Sequence, residues 1–73
     1  MAYSGPMTYG DWYRQLSRED REAYAKRAGT SVRYIEEHLL KGGKTPRVAT
    51  MRKLARATNG EFEYLQILDY FYA

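Results

Sequence analysis

The stretch "AKRAGTSVRYI", residues 25–35, spaces a small residue, a glycine and an aliphatic residue at intervals of four and six positions. Where two short helices cross at a steep angle, only a small side chain such as that of Ala25 fits at the contact. Gly29 can turn the chain at low cost because glycine readily adopts positive φ. Ile35 then holds the second helix against the first. The stretch therefore predicts two helices joined by a tight turn, with the front of the second helix exposed.

The residues before this turn predict two helices. "MTYGDWYRQL", residues 7–16, carries apolar side chains at helical spacing, although Gly10 weakens the pattern. Ser17 is the predicted N-cap of the second helix, with Asp20 three residues further on, and Gly29 ends that helix. The predicted inward faces are Tyr9, Trp12, Tyr13 and Leu16 in the first helix and Tyr24, Ala25 and Ala28 in the second.

The residues after the turn predict a third helix, "SVRYIEEHLL", residues 31–40. Thr30 and Ser31 can cap it, because their hydroxyls accept hydrogen bonds from free backbone N–H groups. Ile35 and Leu39 are four residues apart and so lie on one face.

A fourth helix is predicted to start at Thr45 and Pro46, a threonine cap followed by proline at the first helical position. Asn59 and Gly60 are expected to close it, since both adopt positive φ readily. The predicted inward stripe consists of Val48, Met51, Leu54, Ala55 and Thr58.

The last segment, "EFEYLQILDYFYA", residues 61–73, carries eight large apolar or aromatic side chains. One buried helix face needs fewer, and part of the pattern alternates, so a strand is an alternative to a helix. The surplus predicts an interface, most simply a two-fold dimer. A second interpretation has Phe62, Leu65 and Leu68 filling the core while residues 69–73 fray. The candidates for the dimer interface are Leu68, Tyr70, Phe71 and Tyr72.

Length and pattern together predict an all-α fold, a compact bundle of about five short helices. Seventy-three residues form one small domain. We expect residues 1–7 to be a flexible lead-in and residues 8–73 to be the folded domain. A core of this size is marginal alone, which favours a partner or a second copy.

Cysteine is absent and His38 is the only histidine. This composition excludes a disulfide and a cysteine-ligated zinc site, and it leaves too few residues for a histidine metal cluster or a catalytic triad. "KGGK", residues 41–44, is too short for a phosphate-binding loop. We therefore expect no enzyme activity, no cofactor and no metal. The chain has no apolar run long enough to span a bilayer and does not begin like a signal peptide, so we expect a cytoplasmic protein with no membrane partner.

Charge is unevenly distributed. Residues 31–60 carry seven Lys/Arg against two Asp/Glu, a net charge of +5, whereas residues 61–73 carry three acids and no base. A basic middle with an acidic end is typical of a protein with one face for a polyanion. An ordinary solvated surface is the alternative, because the net charge of the whole chain is only +3.

The stretch from Arg21 to Gly60 resembles the helix-turn-helix of the Cro and lambda-repressor-like family, also called the xenobiotic-response-element family. The features that carry the resemblance are the triad of Ala25, Gly29 and Ile35, the order of five helices, a basic loop before Pro46, and the ending "ATNG" of the fourth helix. It covers roughly residues 8–60. A protruding helix N-terminus in a basic setting suits the DNA major groove.

The resemblance implies which residues meet DNA. Ser31, Val32 and Arg33 would lie at the tip of the third helix and contact bases, with Glu37 one turn further along. Arg33 would be the main reader, bidentate to a guanine, and Val32 would touch a thymine methyl. The implied backbone contacts are Ser17, Arg18, Thr30, Tyr34, Lys41, Lys44, Thr45 and Arg47, with the Ser31 hydroxyl also able to reach a phosphate.

The chain departs from the family pattern in three places. The helix tip has no glutamine, the loop is about one residue longer, and His38 stands where an aliphatic residue is usual. We predict that Leu39 packs in its place. Other roles remain open: Tyr34 as a half-buried aromatic, His38 as a surface residue, and Glu36 and Glu37 as partners of Arg or Lys rather than acceptors from cytosine.

The leading hypothesis is a phage or prokaryotic transcriptional regulator of the Cro or repressor type. It would bind double-stranded DNA as a homodimer on a short inverted repeat. A second hypothesis is the DNA-binding antitoxin of a toxin–antitoxin pair, with the last segment holding the toxin. A third is a protein-interaction adaptor that keeps the fold without the DNA contacts, against which the basic middle argues.

Overall fold

The computed structural model describes residues 7–41 and 43–72, which form five helices and no strand. The expected all-α bundle is therefore confirmed, and the strand alternative for the last segment is wrong. Residues 1–6 of the predicted lead-in, and Ala73 at the end of the predicted domain, lie outside the described residues. The helices are α1 (Tyr9–Gln15), α2 (Arg18–Arg27), α3 (Tyr34–Leu40), α4 (Val48–Ala57) and α5 (Tyr64–Tyr72).

Buried tyrosines join α1 and α2 to the rest of the core. Tyr9, Tyr13 and Tyr24 are each at most 1% exposed, which confirms the inward faces predicted for these helices. The Tyr9 and Tyr24 hydroxyl oxygens lie 2.7 Å apart. Tyr24 donates to the carbonyl of Leu54 at 2.9 Å, so it accepts from Tyr9. Burial raises the pKa of both hydroxyls well above its ordinary value and keeps them protonated.

Gly10 has a packing reason that its local sequence does not reveal. It lies buried within α1, and a Cβ at this position would collide with the hydroxyl of Tyr70 on α5. The glycine that weakens the helix pattern therefore allows α5 to approach α1 closely.

Two predicted helix starts have different outcomes. The Ser17 hydroxyl accepts from the backbone N–H of Asp20 at 3.1 Å, so the predicted cap of α2 is confirmed. The predicted start at Thr45 and Pro46 is wrong, because α4 begins at Val48 after an extended Arg47 that provides no side-chain cap. Pro46 is buried as part of the preceding loop.

This shift moves Val48 out of the predicted stripe. In the first turn of α4 it is 48% exposed, whereas Met51, Leu54, Ala55 and Thr58 are buried as expected. Asn59 and Gly60 follow the helix with φ of 57° and 94°, which confirms the predicted ending.

The third helix is wider than an ordinary α-helix. Val32 and Arg33 are helical, and the segment Tyr34–Leu40 is a π-helix. The N–H of Lys41 donates to the carbonyl of Glu36, five residues earlier, at 3.0 Å. In a π-helix each N–H bonds to the carbonyl five residues earlier instead of four, so each hydrogen-bonded turn contains one more residue. Leu39 is buried and His38 is exposed, so the predicted exchange of packing roles is confirmed.

Helix α5 lies on the core through a mixed set of side chains. Ile67 is fully buried, and Phe62, Tyr64, Leu68, Tyr70 and Phe71 are half-buried against the core. The alternative in which Phe62, Leu65 and Leu68 fill the core is confirmed in part, because Phe62 and Leu68 pack against the core whereas Leu65 is 67% exposed. The fraying predicted for the last residues is wrong through Tyr72, where the helix ends.

Candidate nucleic-acid interface

The turn between α2 and α3 has the geometry that the triad predicts. Gly29 has a φ of 75°, and no atom outside its chain neighbours lies within 4 Å of a Cβ built there, so its backbone conformation is what requires glycine. The N–H groups of Gly29 and Thr30 donate to the carbonyls of Lys26 and Ala25 at 3.1 and 2.9 Å. This pair of bonds is the Schellman ending of a helix. Ala25 and Ile35 are 2% and 0% exposed.

The front of the third helix is exposed and polar. The Ser31 hydroxyl accepts from the N–H of Tyr34 at 3.1 Å, which confirms its capping role. The Arg33 side chain is 84% exposed, and its Nε lies 3.8 Å from the Glu37 carboxylate. An exposed ion pair at this spacing contributes roughly 0.3–0.5 kcal/mol, so Arg33 can leave it at little cost. Val32 is half-buried.

A groove of about 430 Å³ runs beside this tip on the side of α2. Two arginines and two glutamates border it together with two apolar side chains; the lining residues are Leu16, Arg18, Arg21, Glu22, Val32 and Glu36. Ser17 is exposed at the start of α2, although its hydroxyl oxygen already accepts the capping bond.

A second groove, of about 420 Å³, lies between the third helix and the start of α4. Tyr34 contributes to one wall, and its ring packs on His38 with centroids 5.4 Å apart. Lys44, Thr45 and Arg47 are exposed and line the groove. Thr50 also lines it, a residue that the sequence analysis did not select because it lies inside a helix.

Lys41 lies elsewhere. It borders a separate groove of about 610 Å³ together with Arg14 of α1, and not the groove that holds Lys44 and Arg47. Arg18 is thus the predicted backbone-contact residue that lines the first groove, the second groove is lined by Tyr34, Lys44, Thr45 and Arg47, and Lys41 lies apart from both.

A polar cluster behind the tip joins three helices. Arg21 donates through Nη1 to the Glu36 carboxylate at 3.2 Å, and Tyr13 donates to the same oxygen at 3.1 Å. Burial raises the pKa of the Tyr13 hydroxyl, and the nearby Glu36 charge raises it further. Sequence analysis assigned Tyr13 to the core alone and missed Arg21, because its partner on α3 is fifteen residues away and no local pattern marks it.

The predicted dimer residues on α5 differ in exposure. Leu68, Tyr70 and Phe71 are half-buried against the core of the same chain, whereas Tyr72 is 62% exposed. Leu65 is the other exposed large apolar residue of α5, and it was not among the candidates. Its spacing of seven from Tyr72 on a helix places both on one side, a signal that was present in the sequence.

Comparison with protein-family models, curated proteins and solved structures yields no significant match to this chain. Among the described residues, none of the helices combines the length and apolarity needed to cross a bilayer. The same residues contain no group of three or more side chains arranged to hold a metal ion.

Proposed function

We propose that this chain is a sequence-specific, double-stranded DNA-binding transcriptional regulator that reads the major groove with the third helix. The observation that carries the proposal is the exposed polar tip of that helix, with Lys44 and Arg47 in the groove on one side and Arg18, beside Glu22, in the groove on the other. Base contacts at the tip and phosphate contacts on either side form the usual division of labour in DNA recognition.

Arg33 is the proposed base reader. Its side chain is the most exposed partner in the ion pairs around the tip, and a guanidinium matches the O6 and N7 acceptors of guanine. Ser31, Val32 and Glu37 are proposed to lie near neighbouring bases.

The flanking residues are proposed to contact phosphates. Arg18 lies on one side of the tip, and Lys44, Thr45 and Arg47 lie on the other. Two groups of contacts separated by a helix suit the two backbones that border a major groove. Ser17, Thr30, Tyr34 and Lys41 complete the proposed backbone contacts.

Dimer formation is proposed to use the exposed apolar side of α5, formed by Leu65 and Tyr72. Glu61, Glu63 and Asp69 keep this end of the domain acidic and thus unsuited to phosphate. A two-fold dimer would set two recognition helices roughly 34 Å apart, one turn of duplex. Of the earlier candidates, Tyr72 fits this surface best, while Leu68, Tyr70 and Phe71 contribute mainly to their own core.

The same apolar surface favours a second candidate function, an antitoxin that holds a toxin through α5. An exposed leucine and tyrosine on one helix side suit a protein partner of either kind. DNA binding by the third helix is common to both functions, so the partner of α5 distinguishes them.

A random-sequence DNA selection with the purified chain tests the proposal. We expect enrichment of an inverted repeat whose half-site centres are about 10 base pairs apart. The matched control is a chain carrying Arg33→Ala, which should lose the preference at one position in each half-site. Failure of the unmodified chain to enrich any duplex over the starting pool would contradict DNA binding, and enrichment of a single unrepeated site would contradict the dimer.

A further inference from the structure

Apolar side chains attach the third helix to the bundle. Ile35 and Leu39 are buried and lie four apart along one line of the helix, and Val32, Tyr34 and Leu40 are half-buried against the core. These contacts prevent the helix from lifting away. Apolar contact is not directional, so they fix the rotation of the helix about its own axis less sharply than a hydrogen bond does.

Glu36 supplies a directional contact away from that line. Among the hydrogen bonds of the described residues, those of the Glu36 carboxylate are the ones that join a side chain of α3 to other helices. The same oxygen accepts from Tyr13 on α1 at 3.1 Å and from Arg21 on α2 at 3.2 Å. Charge-assisted bonds of this kind are stronger and more directional than apolar contact.

The two partners of Glu36 are themselves held in place. Arg21 also donates to the carbonyls of Arg14 and Leu16, at 2.8 and 3.2 Å, at the end of α1. Its guanidinium lies 5.3 Å from the centre of the Tyr13 ring, and Tyr13 is 1% exposed. The carboxylate therefore meets a pair of donors that α1 and α2 hold fixed.

We propose that Glu36 is a positioning residue: through Arg21 and Tyr13, its carboxylate sets the rotation of the third helix and so the approach of Arg33 to a base. The inference rests on the proposed DNA-binding function and names a determinant of its specificity.

The magnitude of a rotation shows why this setting matters. Side chains extend roughly 5–6 Å from a helix axis, so a turn of about 30° moves the tip of a side chain by roughly 3 Å. A bidentate contact to guanine requires both donor–acceptor distances to stay near 3 Å. A displacement of that size abolishes the contact, while the phosphate contacts of long flexible side chains survive it.

The test uses Glu36→Gln, which keeps the shape and one acceptor, and Tyr13→Phe, which removes one hydroxyl. The measured quantity is the ratio of affinity for the selected site to affinity for an unrelated duplex of equal length. We expect this ratio to fall roughly 10-fold in Glu36→Gln and roughly 2- to 10-fold in Tyr13→Phe, the range that a single hydrogen bond supports. Binding to the unrelated duplex should stay within about 2-fold, since the phosphate contacts remain.

Matched controls remove the same groups elsewhere. Glu61→Gln removes one negative charge from an exposed position after α4, and Tyr64→Phe removes one hydroxyl from a half-buried ring on α5. Both should leave the affinity ratio unchanged. Thermal unfolding of all four variants shows whether each remains folded. A partly unfolded variant loses affinity for both duplexes together and keeps the ratio, whereas loss of positioning lowers the ratio in a folded variant.

A second readout needs no DNA. The backbone N–H of Lys41 donates to the backbone carbonyl of Glu36, and that of Lys44 donates to the backbone carbonyl of His38, so both amides report on the end of the third helix. Their hydrogen exchange should be faster in Glu36→Gln and Tyr13→Phe, with the Met51 amide of α4 unchanged.

An unaltered affinity ratio in folded Glu36→Gln overturns the inference, as does equal acceleration of exchange throughout the chain. If the unmodified chain prefers no duplex, the proposed DNA-binding function is wrong, and the proposed role of Glu36 is wrong with it. If the unmodified chain prefers its site but the affinity ratio of the variants is unaltered, only the role of Glu36 is wrong.

Discussion

The helices α3 and α5 both lie at the surface of the bundle, but their exposed sides are opposite in character. The third helix is held by the buried Ile35 and Leu39, by half-buried apolar side chains and by the Glu36 carboxylate, and its exposed side carries Arg33 and Glu37. Helix α5 is held by Ile67 and a set of half-buried aromatic and aliphatic side chains. Its exposed side carries large apolar residues, Leu65 and Tyr72.

The exposed side of each helix indicates the kind of partner that it suits. Water already satisfies exposed polar and charged groups, so a polar tip with Lys44 and Arg47 nearby is suited to a charged partner such as DNA. Exposed leucine and tyrosine gain from leaving water, which suits a protein surface.

Replacing Ile67 by alanine should destabilise the fold by about 2–5 kcal/mol, because the change leaves a cavity under α5. Leu65→Ala, on the exposed side of the same helix, should change the free energy of unfolding of the monomer by no more than about 0.5 kcal/mol. Urea denaturation of the two variants measures both values. Equal losses of stability would contradict the assignment of Ile67 to the buried side and Leu65 to the exposed side of α5.

Replacing Leu65 and Tyr72 together by serine should dissociate the proposed dimer, since each buried side chain of this size contributes roughly 1.5–3 kcal/mol. Val48→Ser removes an exposed apolar residue from α4 and serves as the control. Sedimentation over a concentration series reports the mass. A monomeric unmodified chain at high concentration, bound as one copy to each DNA site, would refute the dimer.

Arg33→Ala should weaken binding to the selected site by about 1–3 kcal/mol and relax the preference at one base position. Arg56→Ala removes the same charge from the exposed surface of α4 and should have a much smaller effect. Titration against single-base variants of the site measures the change. A uniform loss across all variants would assign Arg33 to phosphate rather than to a base.

Gly29→Ala should cost about 1–2 kcal/mol of stability, because an L-residue is strained at this positive φ even though space is available. Gly10→Ala tests a different cause, contact with the Tyr70 hydroxyl, so Tyr70→Phe should restore part of its loss. Thermal unfolding of the single and double variants separates the two. Rescue of Gly29→Ala by Tyr70→Phe is not expected and would contradict this assignment.

Lys44→Ala should lower affinity alike for all duplexes and reduce the slope of log affinity against log salt by about one unit. Lys53→Ala, an exposed lysine on α4 outside the two grooves, is the control. Titrations at several salt concentrations provide the slope. An unchanged slope removes Lys44 from the proposed phosphate contacts.

Features with a local cause were predictable from the sequence. Gly29 at the turn, Ser17 as a cap and Asn59 with Gly60 after α4 each act on neighbouring backbone, so a few residues suffice to identify them. The exchange of Leu39 for His38 was also foreseeable, because the length of the loop indicated one additional residue.

Features that depend on distant partners were not predictable. Helix α4 begins at Val48, and Pro46 is buried in the preceding loop, a placement that nothing in the adjoining residues reveals. Pairing of Glu36 with an arginine or lysine was one of the interpretations and is confirmed, but no local pattern identified Arg21, fifteen residues earlier, as the partner. The close approach of Tyr70 to Gly10 joins the first and last helices. The exposed side of α5 was identified only in part, because a segment rich in apolar residues does not indicate which of them are buried in the core.

A double-mutant cycle across the proposed interface tests the contact between Arg33 and a guanine. One arm is Arg33→Ala, and the other is replacement of a single guanine in the selected site by 7-deazaguanine, which lacks the N7 acceptor. At one guanine in each half-site, we expect the base change to lower the affinity of the unmodified chain and to have little further effect on the affinity of Arg33→Ala. Additive losses at every guanine would contradict base reading by Arg33.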